Sequence, residues 1–426
     1  MQRTNPLPCS IRSDKKATLI SASVLLMLSA CSPTNTAPVS AASGGNPPAA
    51  ESTSNTSGAA DRTNNPEAKA FVISSKQSEL SAQPFATFSE PWAMSFLPSG
   101  DLLVTQKTGE LELLKLSGPQ AGEKLTVTGT PKVAYGGQGG LGDVVVDPDF
   151  ANNSLIWLSY IQSIGGKYGA VVIKAKLETG DEPKLTQIQK IWEQTPLMSG
   201  QGHYSHRIAI GPAGTKHAGF IFITSGDRQE QTPAQNFTGN LGKVIRLKTD
   251  GSVPSDNPWQ DKGEVARQFY SMGHRNLLGI DFDAAGSLWA HEMGPRHGDE
   301  LNRILPGKNY GWPVVSNGDN YSGVPIPDHD TRAEFEQPKV FWVPAISPAG
   351  FSIYQGPIKD WQGSAFIGGL SSQALIEVNM KQAQEKQRFE WGSRVREVET
   401  GADGAIWVLE DGSDARLLKL MPKSAP

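Results

Sequence analysis

Polar and aromatic residues suited to ligand chemistry lie in three short loops of the chain. The first loop, Gly273-His274-Arg275-Asn276, places a cation beside an amide. The second, residues 292–295, puts an acid next to a Gly-Pro turn, and the third, residues 308–313, carries aromatic residues. Sequence typical of β-strands separates the loops. This combination favours a site for a planar, multiply charged anion over a packed core.

His203 is the candidate general base. It follows a glycine-containing loop and precedes the branched run at residues 208–210, which predicts a loop that leads into a strand. A histidine whose pKa is near neutral can take a proton from a hydroxyl group. Asp227, in a Ser-Gly-Asp turn, is expected to orient His203 and to stabilise its charge. A purely structural histidine is the alternative.

Arg394 and Arg396 are the candidate anion-binding pair. They alternate with Val395 and should therefore point to one face of a strand. Two cations on one face, opposite Arg275, would repel each other unless a multiply charged anion lay between them. The pair predicts a polycarboxylate or phosphate ligand. For Arg275 alone, a solvated surface arginine is the alternative.

A glycine-rich stretch at residues 137–142 matches the dinucleotide pattern G-x-G-x-x-G. That fingerprint requires a helix to follow, because the helix N-terminus receives the pyrophosphate. Residues 143–148 instead indicate a strand and then a turn. We therefore expect no nicotinamide cofactor. The stretch is interpreted as a tight turn from which the amide of Gln138 reaches a ligand.

Oxygen ligands for a hard cation are grouped farther along the chain. Glu300 and Tyr310 lie near the turn Gly294-Pro295. Carbonyl and carboxylate oxygens in irregular loops suit calcium. The sequence has neither an EF-hand loop nor the H-E-x-x-H motif of zinc proteases.

The N-terminus is predicted to be a targeting segment. Basic residues precede an apolar run at residues 17–30, which is too short to span a bilayer as an ordinary helix. The run ends in Leu28-Ser29-Ala30-Cys31, which resembles a bacterial lipobox. Residues 1–30 are therefore predicted to be a lipoprotein signal and Cys31 a lipidation site, with a plain secretory signal as the alternative. Ser32 favours a lipid anchor in the outer membrane, on the periplasmic side of the cell envelope.

Composition limits the remaining possibilities. Residues 31–68 are rich in Pro, Ser, Thr and Ala, and we expect a disordered tether there. The net charge of -4 offers no basic face for nucleic acid. Cys9 would leave with the signal, so the mature domain would have no disulfide, and no C-x-x-C-H motif for covalent haem is present.

A weak internal repeat predicts the fold. Six times, a turn containing Gly, Pro, Asn or Asp precedes a short apolar run. With abundant glycine and proline and little helical periodicity, residues 69–423 are predicted to be all-β, as a six-bladed β-propeller. The strand near Phe71 is expected to close the ring by pairing near Leu417-Leu418. Two β-sandwiches or a β-helix are the competing layouts. The six runs are residues 102–104, 155–158, 220–223, 288–290, 365–367 and 406–408.

These motifs together resemble the soluble pyrroloquinoline-quinone-dependent glucose and aldose sugar dehydrogenases, the glucose/sorbosone dehydrogenase family. The resemblance covers roughly residues 80–420. Its elements are Pro91-Trp92, the Gln138 turn, His203 with Arg207, Asn240-Leu241-Gly242-Lys243, Asp250-Gly251, Gly273 with Arg275 and Asn276, Glu300, and Asn309-Tyr310-Gly311-Trp312-Pro313.

The resemblance implies a propeller with pyrroloquinoline quinone over the channel mouth. His203 would remove the anomeric hydroxyl proton of an aldose as hydride passes to the quinone C5, giving a lactone. Arg275 would polarise the quinone carbonyl, with Asn276 beside it. Gln138, Arg394 and Arg396 would hold the cofactor, and an external acceptor would take its electrons. Calcium would bind the Gly294 and Pro295 carbonyls, or a structural site at Glu300 and Tyr310.

Two positions depart from the family pattern. Gly202 stands where the best-known glucose enzymes have an aspartate. Ser371 and Ser372 lie where those enzymes place a lysine on the cofactor, so one charge contact is missing. The pattern is closer to the broad-specificity aldose enzymes. Two other hypotheses remain: a calcium-dependent propeller lactonase, in which His203 would activate water, and a non-catalytic binding propeller.

Overall fold

The computed structural model describes residues 69–423. The predicted signal at residues 1–30, the lipidation site Cys31 and the tether at residues 31–68 lie outside this range. Within it, helices are confined to Phe150–Asn153 and the 3-10 segments Thr232–Gln235, Ala266–Gln268, His329–Thr331 and Lys359–Trp361. None of the helices in these residues is long and apolar enough to cross a membrane.

Strands supply nearly all of the regular structure. In chain order they are β1 (Phe71–Ser74), β2 (Glu79–Phe88), β3 (Pro91–Phe96), β4 (Leu102–Gln106), β5 (Leu111–Leu114), β6 (Lys124–Thr126), β7 (Leu141–Val146), β8 (Leu155–Ile164), β9 (Lys167–Glu178), β10 (Lys184–Glu193), β11 (Ser205–Ile210), β12 (Phe220–Ser225), β13 (Lys243–Lys248), β14 (Phe269–Met272), β15 (Leu277–Phe282), β16 (Leu288–Glu292), β17 (Asp299–Arg303), β18 (Val340–Trp342), β19 (Pro348–Ile353), β20 (Ser364–Gly369), β21 (Ala374–Asn379), β22 (Gln384–Glu390), β23 (Val395–Thr400), β24 (Ile406–Glu410) and β25 (Ala415–Pro422).

The strands form six antiparallel sheets, which confirms the predicted six-bladed propeller. Blades 1 to 5 are β3–β6, β7–β10, β11–β14, β15–β18 and β19–β22, each in consecutive order. Blade 6 joins β23, β24 and β25 to β2 and β1 from the start of the domain. The first strands of the six blades contact one another in a closed ring around the channel.

The ring-closing strand differs from the prediction. β2 rather than the Phe71 strand pairs with β25, and Pro84 and Ala86 lie opposite Leu418 and Leu417. The strand at Phe71, β1, is an additional outer strand that pairs with β2. Pro84 lacks an N–H for a regular ladder, and the register shifts between Pro84 and Ala86.

The predicted apolar runs are the second strands of their blades: β4, β8, β12, β16, β20 and β24. A second strand is covered on both faces by neighbouring blades, so it has a continuous apolar sequence. In β4, Leu102, Leu103 and Val104 are all fully buried. Leu102 and Val104 pack towards blade 6, whereas Leu103 packs towards blade 2. Apolar layers between blades therefore fix the ring on which the site is built.

Candidate active site

The predicted site residues mostly precede the first strands of different blades. Gln138 comes shortly before β7, His203 before β11, Asn276 before β15 and Arg394 before β23. These strands meet around the channel, so the loops that lead into them converge at one mouth. Residues far apart in sequence become neighbours for this reason.

Two adjoining cavities receive most of the predicted residues. The first, about 400 Å³, is lined by Gln138, Arg394 and Arg396. The second is smaller and is lined by Arg275, Gly294, Pro295, Glu300 and Tyr310. Met293 lines both. We name them the quinone cavity and the Gly-Pro cavity, after the ligand and the turn predicted there.

His203 and Asp227 form a buried pair beside these cavities. His203 Nδ1 lies 2.8 Å from Asp227 Oδ1, which also accepts the backbone N–H of Gln229 at 2.8 Å. A carboxylate only accepts hydrogen bonds, so Nδ1 carries the proton and Nε2 keeps its lone pair. His203 has φ 48°, a strained conformation for a residue with a side chain. The predicted orientation of His203 by Asp227 is present.

The surroundings of His203 keep it neutral. Burial lowers its pKa below 6.5, and the charges of Arg275 and Arg228 lower it further, against the opposing effect of Asp227. The backbone N–H of His203 donates to Gln138 Oε1 at 2.7 Å, which joins this candidate base to the quinone cavity. A neutral imidazole with a free Nε2 is the protonation state that a general base requires.

Arg275 is buried, with only 7% of its surface exposed, so a solvated surface arginine is wrong. Its backbone N–H donates to Glu292 Oε2 at 2.6 Å, and its Nη1 donates to Met293 O at 3.0 Å. Its Nε is buried without a hydrogen-bond partner. An unpaired buried donor on a cation is a position where an anionic or carbonyl ligand is favourable.

Asn276 is fixed beside Arg275 and faces the His203 loop. Its Oδ1 accepts from Ser205 Oγ at 3.2 Å, and its Nδ2 lies 3.8 Å from Met293 Sδ. Asp227 N donates to Arg275 O at 2.8 Å. The loop before β15 is therefore joined to the start of β11 through side chains and to the turn after β12 through the backbone.

Arg394 and Arg396 both pair with an acid of the protein, contrary to the prediction that an external anion must lie between them. Asp411 already lies between the two side chains: Arg394 Nε donates to one carboxylate oxygen at 2.6 Å, and Arg396 Nε and Nη2 donate to the other at 2.9 and 2.8 Å. Burial favours the neutral acid, but the two arginines outweigh it and lower the pKa of Asp411. An external anion is not required to hold the pair together. Both arginines nevertheless line the quinone cavity.

The predicted calcium ligands line one cavity, but their side chains are engaged. Glu300 accepts from His329 Nε2 at 2.9 Å and from Asn302 Nδ2 at 3.0 Å. The Tyr310 hydroxyl donates to Arg303 O at 2.5 Å and accepts from Leu305 N at 3.0 Å, so it is not a free ligand. Across residues 69–423, no cluster of three or more His, Cys, Asp or Glu is arranged for a metal.

One oxygen in this region still suits a cation. Asn302 Oδ1 is buried without a hydrogen-bond partner, and the same side chain bridges Glu300 and Glu292 through its nitrogen. Together with the Gly294-Pro295 turn, the region offers hard oxygen donors. A calcium ion in this region would be bound mainly by carbonyl and amide oxygens and not by a cluster of carboxylates.

Several site residues were not predicted from the sequence. Trp312 belongs to a recognised motif, yet the structure gives it a specific contact: its Nε1 donates to Asp227 Oδ2 at 2.7 Å. Trp92 and His206 stack with ring centroids 4.7 Å apart and line the quinone cavity. Lys107 and Glu90 line it as well. Glu90 directly precedes β3, the first strand of blade 1, and this position in the sequence could have marked it as a site residue.

Known proteins match both the chain and the fold. The Glucose / Sorbosone dehydrogenase family model matches residues 88–419. The aldose sugar dehydrogenase YliI of Escherichia coli K12 is 37% identical over 347 residues, which covers 78% of this chain and 90% of that protein. The quinoprotein glucose dehydrogenase B of Acinetobacter calcoaceticus is 27% identical, covering 68% of this chain and 64% of that one.

Among solved structures, the apo form of the soluble aldose sugar dehydrogenase of Escherichia coli superimposes with a TM-score of 0.75 at 34% identity. The match covers 81% of this chain and 100% of that one.

Fold and site define a six-bladed propeller oxidoreductase. The chain belongs to the glucose/sorbosone dehydrogenase family. The family resemblance inferred from the motifs is confirmed.

Proposed function

We propose that this protein oxidises the C1 hydroxyl of aldose sugars to lactones, using pyrroloquinoline quinone as the hydride acceptor. The observation that carries the proposal is the buried pair His203–Asp227 beside Arg275, whose Nε has no partner. A proton acceptor and an unpaired cationic donor at one channel mouth suit the removal of a proton from a hydroxyl group and of a hydride from the carbon that carries it.

The residues present fit the quinone. It is a planar anion with several carboxylates, and the quinone cavity is polar and carries Arg394, Arg396 and Lys107 against two acids. Gln138, Arg394 and Arg396 would hold it, and Arg275 with Asn276 would bind from the adjoining loop. When bound, the quinone supplies the two-electron acceptor that the side chains of the protein lack.

His203 performs the proton chemistry in this proposal. Its neutral Nε2 takes the proton of the C1 hydroxyl, while Asp227 holds Nδ1–H and stabilises the imidazolium that forms. The C1 hydrogen leaves with both electrons of its bond, and the C1–O bond becomes a carbonyl. The ring sugar thereby becomes a lactone. Arg275 neutralises developing negative charge at the site.

Calcium is part of the proposal at the Gly-Pro cavity. The carbonyls of Gly294 and Pro295 would bind it beside the quinone, with Glu300 and the Tyr310 backbone as the alternative structural site. The oxygen chemistry and the unpartnered Asn302 Oδ1 support a hard cation in this region.

The location and the electron acceptor are proposed from the sequence. Cys31 would anchor the protein to the outer membrane on its periplasmic side, and an external acceptor would reoxidise the quinone. Metabolic labelling with a fatty acid tests the anchor: the wild type should be labelled and Cys31→Ala should not.

Dye reduction by the purified protein tests the activity. The protein is mixed with the quinone, calcium and a panel of aldoses, and the bleaching of an artificial acceptor is followed. Reduction that requires both quinone and sugar supports the proposal. Lactone hydrolysis without added quinone would support the lactonase instead, and the absence of both reactions would favour a binding propeller.

A further inference from the structure

Lys107 lies at the wall of the quinone cavity with a firmly held backbone. It follows β4, and its N–H donates to Glu90 O at 3.0 Å while its carbonyl accepts from Leu141 N at 3.1 Å. A Cβ at Gly140 would come within 2.1 Å of the Lys107 carbonyl, so glycine is needed for this close approach. The backbone of Lys107 is thus clamped between blades 1 and 2.

The ammonium group is far less well satisfied than the backbone. Its nearest acid oxygen is Glu90 Oε1 at 3.9 Å, and it lies 5.5 Å from the centre of the Tyr135 ring. A separation of 3.9 Å is too long for a hydrogen bond. Only 18% of the side chain as a whole is exposed. Arg394 and Arg396, by contrast, share Asp411 at 2.6 to 2.9 Å.

The charges that line the cavity leave a positive excess. Lys107, Arg394 and Arg396 face Glu90 and Asp411. Asp411 is occupied by the two arginines, and Glu90 Oε2 already accepts from the Tyr135 hydroxyl at 2.5 Å. Lys107 therefore combines a charge with donors that no side chain of residues 69–423 satisfies at hydrogen-bond distance. Such a cation pairs readily with a carboxylate that enters the cavity.

We propose that Lys107 is a cofactor-binding residue that pairs with a carboxylate of the bound quinone. The inference rests on the proposed function. It accounts for the serines at 371 and 372: the charge contact missing from blade 5 is supplied from blade 1. Glu90 restrains the lysine in the free protein and competes with the ligand for it.

Equilibrium titration of the apoprotein with pyrroloquinoline quinone, followed by fluorescence quenching, tests this assignment without turnover. Lys107→Ala should weaken binding about tenfold, as expected for loss of a partly buried charged hydrogen bond. Lys107→Arg should retain most of the affinity. Glu90→Gln should tighten binding, because it frees the ammonium group.

Lys132→Ala is the matched control, since this exposed lysine is close in sequence and outside the cavity and makes the same change in net charge. Equal affinities for Lys107→Ala and Lys132→Ala would overturn the assignment while leaving quinone binding by the wild type intact. Failure of the wild type to bind would instead contradict the proposed function. Should Lys107→Ala unfold, Glu90→Gln decides: unchanged affinity overturns the proposal.

Discussion

The indole of Trp312 and the carboxylate of Asp227 are joined by a hydrogen bond of 2.7 Å from Nε1 to Oδ2. The other carboxylate oxygen holds His203, so both oxygens of Asp227 are committed. The Trp312 ring also lies beside Arg275, with 5.2 Å from the guanidinium carbon to the ring centre. Trp312 thus contacts both Asp227, which holds the candidate base His203, and the cationic side chain of Arg275.

Replacement of Trp312 by phenylalanine should keep the ring beside Arg275 and remove the hydrogen bond to Asp227. A buried hydrogen bond to a charged group contributes about 1.5–3 kcal/mol, so we expect kcat to fall about tenfold or more. KM should change little, because Trp312 acts through Asp227. Steady-state kinetics of the reconstituted enzyme measure both values.

Trp391→Phe is the control for this variant. Trp391 also donates its Nε1 to a carboxylate, Glu410 Oε1 at 2.8 Å, and neither residue lines a candidate cavity. Similar losses of kcat in the two variants would show that the effect of Trp312 is one of general stability.

Asp227→Asn should make His203 a weaker base and lower its pKa further. In the wild type, burial and the nearby arginines lower the pKa of His203 below 6.5 and Asp227 opposes them. The base is active when neutral, so the acid limb of kcat/KM should lie below pH 6.5. Removal of the carboxylate charge should move that limb to lower pH and reduce the plateau about 100-fold. A wild-type limb above pH 6.5 would contradict the assigned electrostatics.

The channel beneath the site holds carboxylates that should destabilise the fold at high pH. Asp143, Asp281, Glu397 and Glu399 line one cavity of about 290 Å³ with Arg207. Burial raises the pKa of Asp281 and Glu397 to about 7. Burial, with repulsion from Glu397 and Asp281, raises the pKa of Glu399 well above 4.5. The folded state therefore binds protons that the unfolded state releases.

Glu399→Gln should remove part of this destabilisation. A raised carboxyl pKa favours the folded state at low pH, and that contribution is lost as pH rises above the unfolded value of 4.5. The variant should match the wild-type Tm near pH 5 and exceed it by roughly 2 °C near pH 8. Thermal unfolding at both pH values measures the difference. The exposed Glu390→Gln is the control, and the same pH-dependent gain there would refute the explanation.

The sequence was sufficient to predict the six blades, because the second strand of each blade is buried on both faces and therefore has an apolar sequence. The run at residues 102–104 is apolar throughout, whereas β10 exposes most of its residues and gives no comparable signal. The ring-closing strand was misplaced because β2 mixes polar residues and Pro84 into its apolar pattern. Local sequence predicts a strand but not which strand lies beside it.

The sequence predicted only part of the candidate site, because local sequence again does not show which distant residues become neighbours. His203 and Arg275 lie in recognisable motifs, but Asp411 and Lys107 follow β24 and β4 rather than leading into a first strand. Their proximity to the cavity depends on how neighbouring blades pack. The pairing of Asp411 with both arginines reversed the inference from charge repulsion, and sequence spacing alone contained no sign of it.

A single-turnover measurement shows whether His203 takes part in the reduction of bound quinone by a sugar. The wild type and His203→Ala are each loaded with pyrroloquinoline quinone and calcium, and the absorbance of the bound quinone is followed after an aldose is added without any acceptor. We expect that both proteins bind the quinone, that sugar reduces it in the wild type, and that reduction in His203→Ala is slower by about 100-fold or more. Equal rates of reduction in the two proteins, or no reduction in the wild type by any aldose, would contradict this expectation.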